Sequence, residues 1–262
     1  MSERLPKFDN PPVFETVLGL TFIPLAEWKI PHIGLFWNRI RSQYPECTVQ
    51  PPLPDEIETF GDHAREITFS LGPTNTRCWL ISRNGEWLLQ LQNSRFISNW
   101  RHRESGKYPN YKGFKEKFGT EWTRFKDFLK KEKIEPPKLL QAEVSYFNHI
   151  DIDEGLLDLG KVFPTWSPQK KGRVLDKPEA VAIDAVFPIP DQRGRLYIKV
   201  EPVVRHSDLK LVIQMTLTGR VLIASNSDRD MYEALQLAHD WVVSGFADFT
   251  SPEMHDIWKR QQ

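Results

Sequence analysis

The chain has 262 residues, 40% hydrophobic and 27% charged, with thirty-five Lys and Arg against thirty-five Asp and Glu. Usage is that of a globular protein, and the balanced charge argues against a surface given over wholly to a polyanion. The two cysteines, Cys47 and Cys78, lack the spacing of a structural zinc site, the opening MSERLPKFDNPP has no leader-like apolar run, and no apolar stretch reaches the ~20 residues that span a bilayer. The expectation is a cytoplasmic protein with no membrane association and no cofactor.

In chain order, Val13–Phe22 reads as a strand, with Phe14, Leu18, Leu20 and Phe22 on one face and Glu15, Val17, Gly19 and Thr21 on the other. Ile33, Phe36, Trp37 and Ile40 have helical spacing, and Gln50-Pro51-Pro52-Leu53-Pro54 reads as a stiff extended connector. Strands follow at Ile67–Leu71, Cys78–Ser82 and Glu86–Gln92, the last two joined by Arg83-Asn84-Gly85, a hairpin signal. Arg95–Arg103 reads as a loop. A long helix from about Pro109 carries the stripe Phe114, Phe118, Trp122, Phe125, Leu129.

The order then repeats. Leu140, Ala142, Val144 and Tyr146 mark a strand, a short helix is expected over Glu154–Leu159, and strands over Val181–Phe187, Leu196–His206 and Leu209–Leu217. A helix over Asp228–Phe246 has Ser227 as its cap, and Ser251-Pro252 opens a last short helix. Each half reads β-α-β-β-β-α. The expectation is therefore an α+β fold built from two similar halves, 1–136 and 139–262, with a largely antiparallel sheet and helices on one face. Trp122 and Trp241, at matching places in the two long helices, are expected core anchors.

The block Leu5-Pro6-x-Phe8-x-Asn10-Pro11-Pro12-Val13-x-Glu15-x-Val17-Leu18-Gly19 resembles the start of a sporadically distributed prokaryotic family of about this length. The resemblance continues through Arg95-Phe96-x-x-Asn99-Trp100-Arg101, Glu143-Val144-x-Tyr146-x-Asn148-His149-Ile150 and Met254-His255-x-Ile257-Trp258. It names a family without a reaction, so it implies no catalytic residue. The sporadic distribution is compatible with an accessory of a defence or toxin–antitoxin system.

Three groups of residues invite a functional reading. Arg95, Asn99, Trp100 and Arg101, beside Gln90 and Gln92, combine charge-assisted donors with aromatics, as protein interfaces do. Arg195, Lys199 and Arg205 share one face of a later strand, opposite Leu196, Ile198 and Val200. With Glu143 and Ser145 they predict an open polar sheet face, its margin at Arg95–Arg101. The expected function is non-catalytic binding or regulation of a macromolecular partner, foremost a protein. Two alternatives stay open. The basic, aromatic-bearing 95–138 segment suits nucleic acid, and His149, Asp151 and Asp153 would fall on one side of a continuous strand and suit a divalent metal and an enzyme.

Overall fold

The computed structural model describes residues 5–54, 56–60, 76–103, 108–151, 159–165, 180–205 and 207–261. The chain runs from β1 (Val13–Phe22) through α1 (Ile30–Ile40) to β2 (Glu46–Gln50), β3 (Arg77–Ile81), β4 (Trp87–Gln92), β5 (Arg95–Arg101) and α2 (Tyr111–Lys131). From β6 (Leu139–Ile150) it passes α3 (Leu159–Val162) to β7 (Ile183–Ile189), β8 (Gly194–Arg205), β9 (Lys210–Leu222), α4 (Asp228–Phe249) and α5 (Pro252–Ile257). These strands form one nine-stranded sheet in the order β2-β3-β4-β5-β1-β6-β9-β8-β7. Every pairing is antiparallel. The fold is α+β, and the sheet is continuous across the two halves because β1 and β6 pair at its centre, Thr16 opposite Tyr146.

Alternation along each strand sorts side chains to two faces. The apolar face carries Leu18 and Leu20 of β1, Phe96 of β5, Ala142 and Val144 of β6 and Leu196 and Ile198 of β8, all buried. Phe118, Trp122 and Phe125 of α2 meet Phe96 at ring separations of 5.7, 5.2 and 5.2 Å. Burying one such side chain stabilises the fold by about 1.5–3 kcal/mol, so this cluster anchors α2. Over β9, α4 comes so close that a Cβ on Gly219 would lie 2.7 Å from the Ala238 carbonyl oxygen. Only glycine permits that approach.

Several expectations need correction. α1 packs on α2, with Phe36 at 5.5 Å from Phe125 and 5.3 Å from Phe128. α3 meets α5, where the Ser251 amide donates to the Val162 carbonyl at 2.9 Å. The helices therefore do not form the expected single layer on one face. Arg95–Arg101 is a strand and only His102 and Arg103 lie outside it: Asn93 and Ser94 turn the chain and β5 begins at once, since Phe96, Ser98 and Trp100 alternate with Arg95, Ile97, Asn99 and Arg101. The supposed connector overlaps a short edge strand, β2, confined between Pro45 and Pro51. The long helix starts at Tyr111, where the Asn110 side chain accepts from the Gly113 amide. Ser227 and Ser251 cap α4 and α5 as expected. Trp122 is 2% exposed, whereas Trp241 is only partly buried. The strand expected at 67–71 and the helix residues 154–158 lie outside the described residues.

Candidate interaction surface on the polar sheet face

The second face of the sheet is polar, and part of it is covered by the chain itself. After β2, residues 53–54 and 56–60 cross the face from β4 to β8, held almost wholly by side chains. Gln92 of β4 accepts from the Leu53 amide at 2.9 Å and donates to its carbonyl at 3.1 Å. Gln141 of β6 repeats the device, accepting from the Glu58 amide at 2.9 Å and donating to the Glu56 carbonyl at 3.2 Å. A carboxamide has both a donor and an acceptor, so each glutamine satisfies an extended backbone as a neighbouring strand would. Arg95 of β5 donates to the Pro54 carbonyl.

The acidic side chains of this strap are paired. Glu58, 6% exposed, accepts from Arg195 and, at 2.6 Å, from the Tyr197 hydroxyl. Arg220 of β9 bridges Glu56 at 2.7 Å and Glu143 at 2.9 Å. Farther along, Lys199 pairs with Glu201 at 2.8 Å, and Arg205 with Asp208 at 2.6 Å and Asp151 at 2.9 Å. The Glu58 hydrogen bond lifts the Arg195 pKa. Burial works against the charge on Arg220, yet Glu143 and Glu56 together carry its pKa upward. In the C-terminal half every named cation meets a carboxylate.

The N-terminal half of the same face is arranged differently. Arg77 and Trp79 of β3 both donate to the Gln90 side-chain carbonyl at 3.0 Å. Gln90 donates to Asn99 at 2.8 Å, and Asn99 donates to Glu15 at 2.5 Å. The guanidinium carbons of Arg77 and Arg101 lie 5.7 and 5.9 Å from the Trp79 ring centre, within cation–π range. Neither arginine forms an ion pair among the described residues, and each has a buried Nε without a hydrogen-bond partner. Burial, then repulsion from Arg95, pushes the Arg77 pKa below its ordinary value; burial, then Arg103, does the same to Arg101 against the opposing pull of Glu15. Burial also raises the pKa of Glu15 despite the Asn99 hydrogen bond and the nearby Arg101 and Arg103.

The residues singled out from sequence fall into three places. Gln90, Gln92, Arg95 and Asn99 do face this surface, but at 7%, 2%, 6% and 3% exposure they are its scaffold rather than exposed anchors. Trp100 lies on the apolar face, 1% exposed and 5.4 Å from Tyr108; the tryptophan at the surface is Trp79. Arg195, Lys199 and Arg205 lie on the polar face but are engaged by Glu58, Glu201 and Asp208. Sequence reasoning missed Arg77, Trp79, Gln141, Arg220 and the strap, although Arg77, Trp79 and Ile81 alternate visibly and Glu56 and Glu58 make an acidic extended stretch.

The two alternatives fare differently. On α2, Lys117 pairs with Glu121 at 2.7 Å, Lys126 with Asp228 at 2.8 Å, and Lys115 donates to Gln236 at 2.9 Å. These contacts account for part of the basic segment without nucleic acid. His149 stacks on Phe14 at 4.2 Å and meets Gln214 at 3.3 Å, while Asp151 serves Arg205. Asp153 lies outside the described residues, and no group of three metal-ligating side chains occurs among those described. His255 is held by Thr250 at 2.9 Å and Arg260 at 3.0 Å, a structural role.

A concave feature sits on the other side of the sheet. A cavity of about 590 Å³ opens between the N-terminal segment, the start of α2 and α4, walled by Phe8, Val13, Tyr111, Tyr146, His239 and Phe246. His239 stacks on Tyr111 at 3.6 Å, and the Tyr108 hydroxyl donates to that of Tyr146 at 2.8 Å.

Compared with protein-family models, curated proteins and solved structures, the chain matches none. No described helix is long and apolar enough to cross a membrane.

Proposed function

We propose that the protein is a non-catalytic binding protein whose polar sheet face engages a protein partner. The observation that supports this reading is Arg77 and Arg101 beside Trp79, neither of them in an ion pair among the described residues. Burial works against the charge on both arginines, on Arg101 despite nearby Glu15, and an anionic partner would offset part of that penalty. Arg and Trp are also the side chains that dominate protein interfaces. The proposal takes the halves as degenerate copies. Outward from the β1–β6 pair the orders are β5-β4-β3 and β9-β8-β7; the described strap touches both copies, its backbone on Gln92 and Arg95 of one and its carboxylates on Arg195 and Arg220 of the other.

The test is capture of partners from the native host with the wild-type chain and with Arg77→Glu/Arg101→Glu, both confirmed folded by circular dichroism. A protein recovered with the wild type and lost with the variant is the expected result. Equal recovery by both would remove the polar face from the function.

A second reading, a small-molecule binder, is favoured by the aromatic cavity, whose size falls in the range of ligand sites, about 300–1,000 Å³. A ligand whose binding is abolished by Tyr146→Phe and His239→Asn and unaffected by the arginine variant would move the function there.

A further inference from the structure

Resting on the polar-face reading, we infer that the partner contributes an extended acidic stretch of polypeptide, seated over Arg77, Trp79 and Arg101 as the chain seats its own residues 53–54 and 56–60. The strap shows the chemistry this face uses. Its backbone is held by side-chain carboxamides and an arginine, from Gln92, Gln141 and Arg95, and its carboxylates by Arg195, Tyr197 and Arg220. The N-terminal half holds two arginines that form no ion pair among the described residues, Glu15 lying near Arg101 but hydrogen-bonded to Asn99. The guanidinium carbons of Arg77 and Arg101 lie 5.7 and 5.9 Å from the centre of an indole whose N–H is already spent on Gln90, leaving the ring as an apolar platform beside two charges. Carboxylates spaced two residues apart on an extended chain point to one side, about 6–7 Å apart, and Glu56 and Glu58 both reach the polar face, at Arg220 and Arg195. Nothing in the arrangement reads a base or a sugar edge, and the cations are few, so the charge complementarity favours an acidic peptide over a nucleic-acid backbone.

The probe is a dye-labelled peptide with the sequence of residues 51–60, PPLPDEIETF, titrated into the full-length protein by fluorescence anisotropy. Saturable binding is expected, weakened about tenfold or more in Arg77→Glu/Arg101→Glu and likewise in a peptide whose acids are replaced by Asn and Gln. The variant Arg77→Gln/Arg101→Gln, which keeps a polar side chain at both places, guards against misfolding and is expected to weaken binding by a smaller factor. Binding insensitive to both arginine variants but abolished by Arg195→Gln/Arg220→Gln would mean exchange with the strap, and would overturn the inference. So would tighter, arginine-dependent binding of a single-stranded oligonucleotide. Absence of peptide binding, with arginine-dependent capture of a native partner intact, would reject the acidic segment and leave the polar face standing.

Discussion

The two halves of the polar face use the same materials to opposite ends. Each sets arginines beside an aromatic ring, Arg220 lying 5.1 Å from the Tyr197 ring centre much as Arg77 and Arg101 lie beside Trp79. In the C-terminal half, Glu56, Glu58 and Glu143 neutralise the cations and the arginine pKa values rise. In the N-terminal half the carboxylate within the hydrogen-bond network is Glu15, and the arginine pKa values fall. Counting charges does not separate these regions. Asking which charges are paired does: the named C-terminal cations meet carboxylates, whereas Arg77 and Arg101 form no ion pair among the described residues.

The comparison holds only if both halves share one rigid foundation. Trp122, under β5 and 2% exposed, tests that. Trp122→Ala should cost about 3–5 kcal/mol, read by denaturant unfolding, with partner binding retained under conditions where the variant stays folded. Trp241→Ala, at a partly buried position, should cost clearly less. Similar losses from both would show that the two tryptophans anchor the core equally.

The next effect sets the halves directly against each other. Glu58→Ala leaves Arg195 and Tyr197 without their acceptor and frees the strap, and should cost about 1–3 kcal/mol, discounted because Arg195 remains partly solvated. Arg77→Gln removes a desolvated cation that pairs with no acid, and should change stability by no more than about 0.5 kcal/mol. Chemical denaturation of both variants decides it. A loss for Arg77→Gln as large as for Glu58→Ala would mean that the N-terminal arginines are structural too.

How much of this was legible in the sequence follows from the range of the interactions. The strands β1, β6, β8 and β9 and the helices α2 and α4 showed in their own periodicity, because a half-buried element records its two faces locally. β5 did not, since Arg95, Asn99 and Arg101 look like loop residues until it is known that the strap accepts from Arg95, that Gln90 and Glu15 engage Asn99, and that Arg101 lies over Trp79. Trp100 illustrates the same limit: between Asn99 and Arg101 it suggests an exposed anchor, while strand alternation turns it inward. The polar face was foreseen in β8, β9 and β6, but not its cover. Residues 56–60 bind partners more than eighty positions away, in β6, β8 and β9, and nothing local announces such pairings.

The smallest expected effect bears most closely on the comparison. Burial dominates at Glu15 and raises its folded pKa above the ordinary 4.5, outweighing Asn99 and the two arginines. A group whose folded pKa is raised adds stability below its unfolded pKa and loses it as pH climbs through the folded one. Ionised Glu15 is therefore a small burden at pH 7, absent at pH 4.5. Glu15→Gln keeps an acceptor for the Asn99 amide and removes the titration. Its stability relative to wild type should improve as pH rises from about 4.5 to 7, by a fraction of the 1.36 kcal/mol that one pKa unit represents, measured as the difference in unfolding free energy between the two proteins at each pH. Acidic-peptide affinity at pH 7 should rise as well, because a competing carboxylate beside Arg101 has gone. If the difference instead turns against the variant as pH rises, Glu15 is stabilised by the arginines more than it is penalised by burial. The N-terminal half would then be compensated like the C-terminal one, and the contrast on which the acidic-partner proposal rests would disappear.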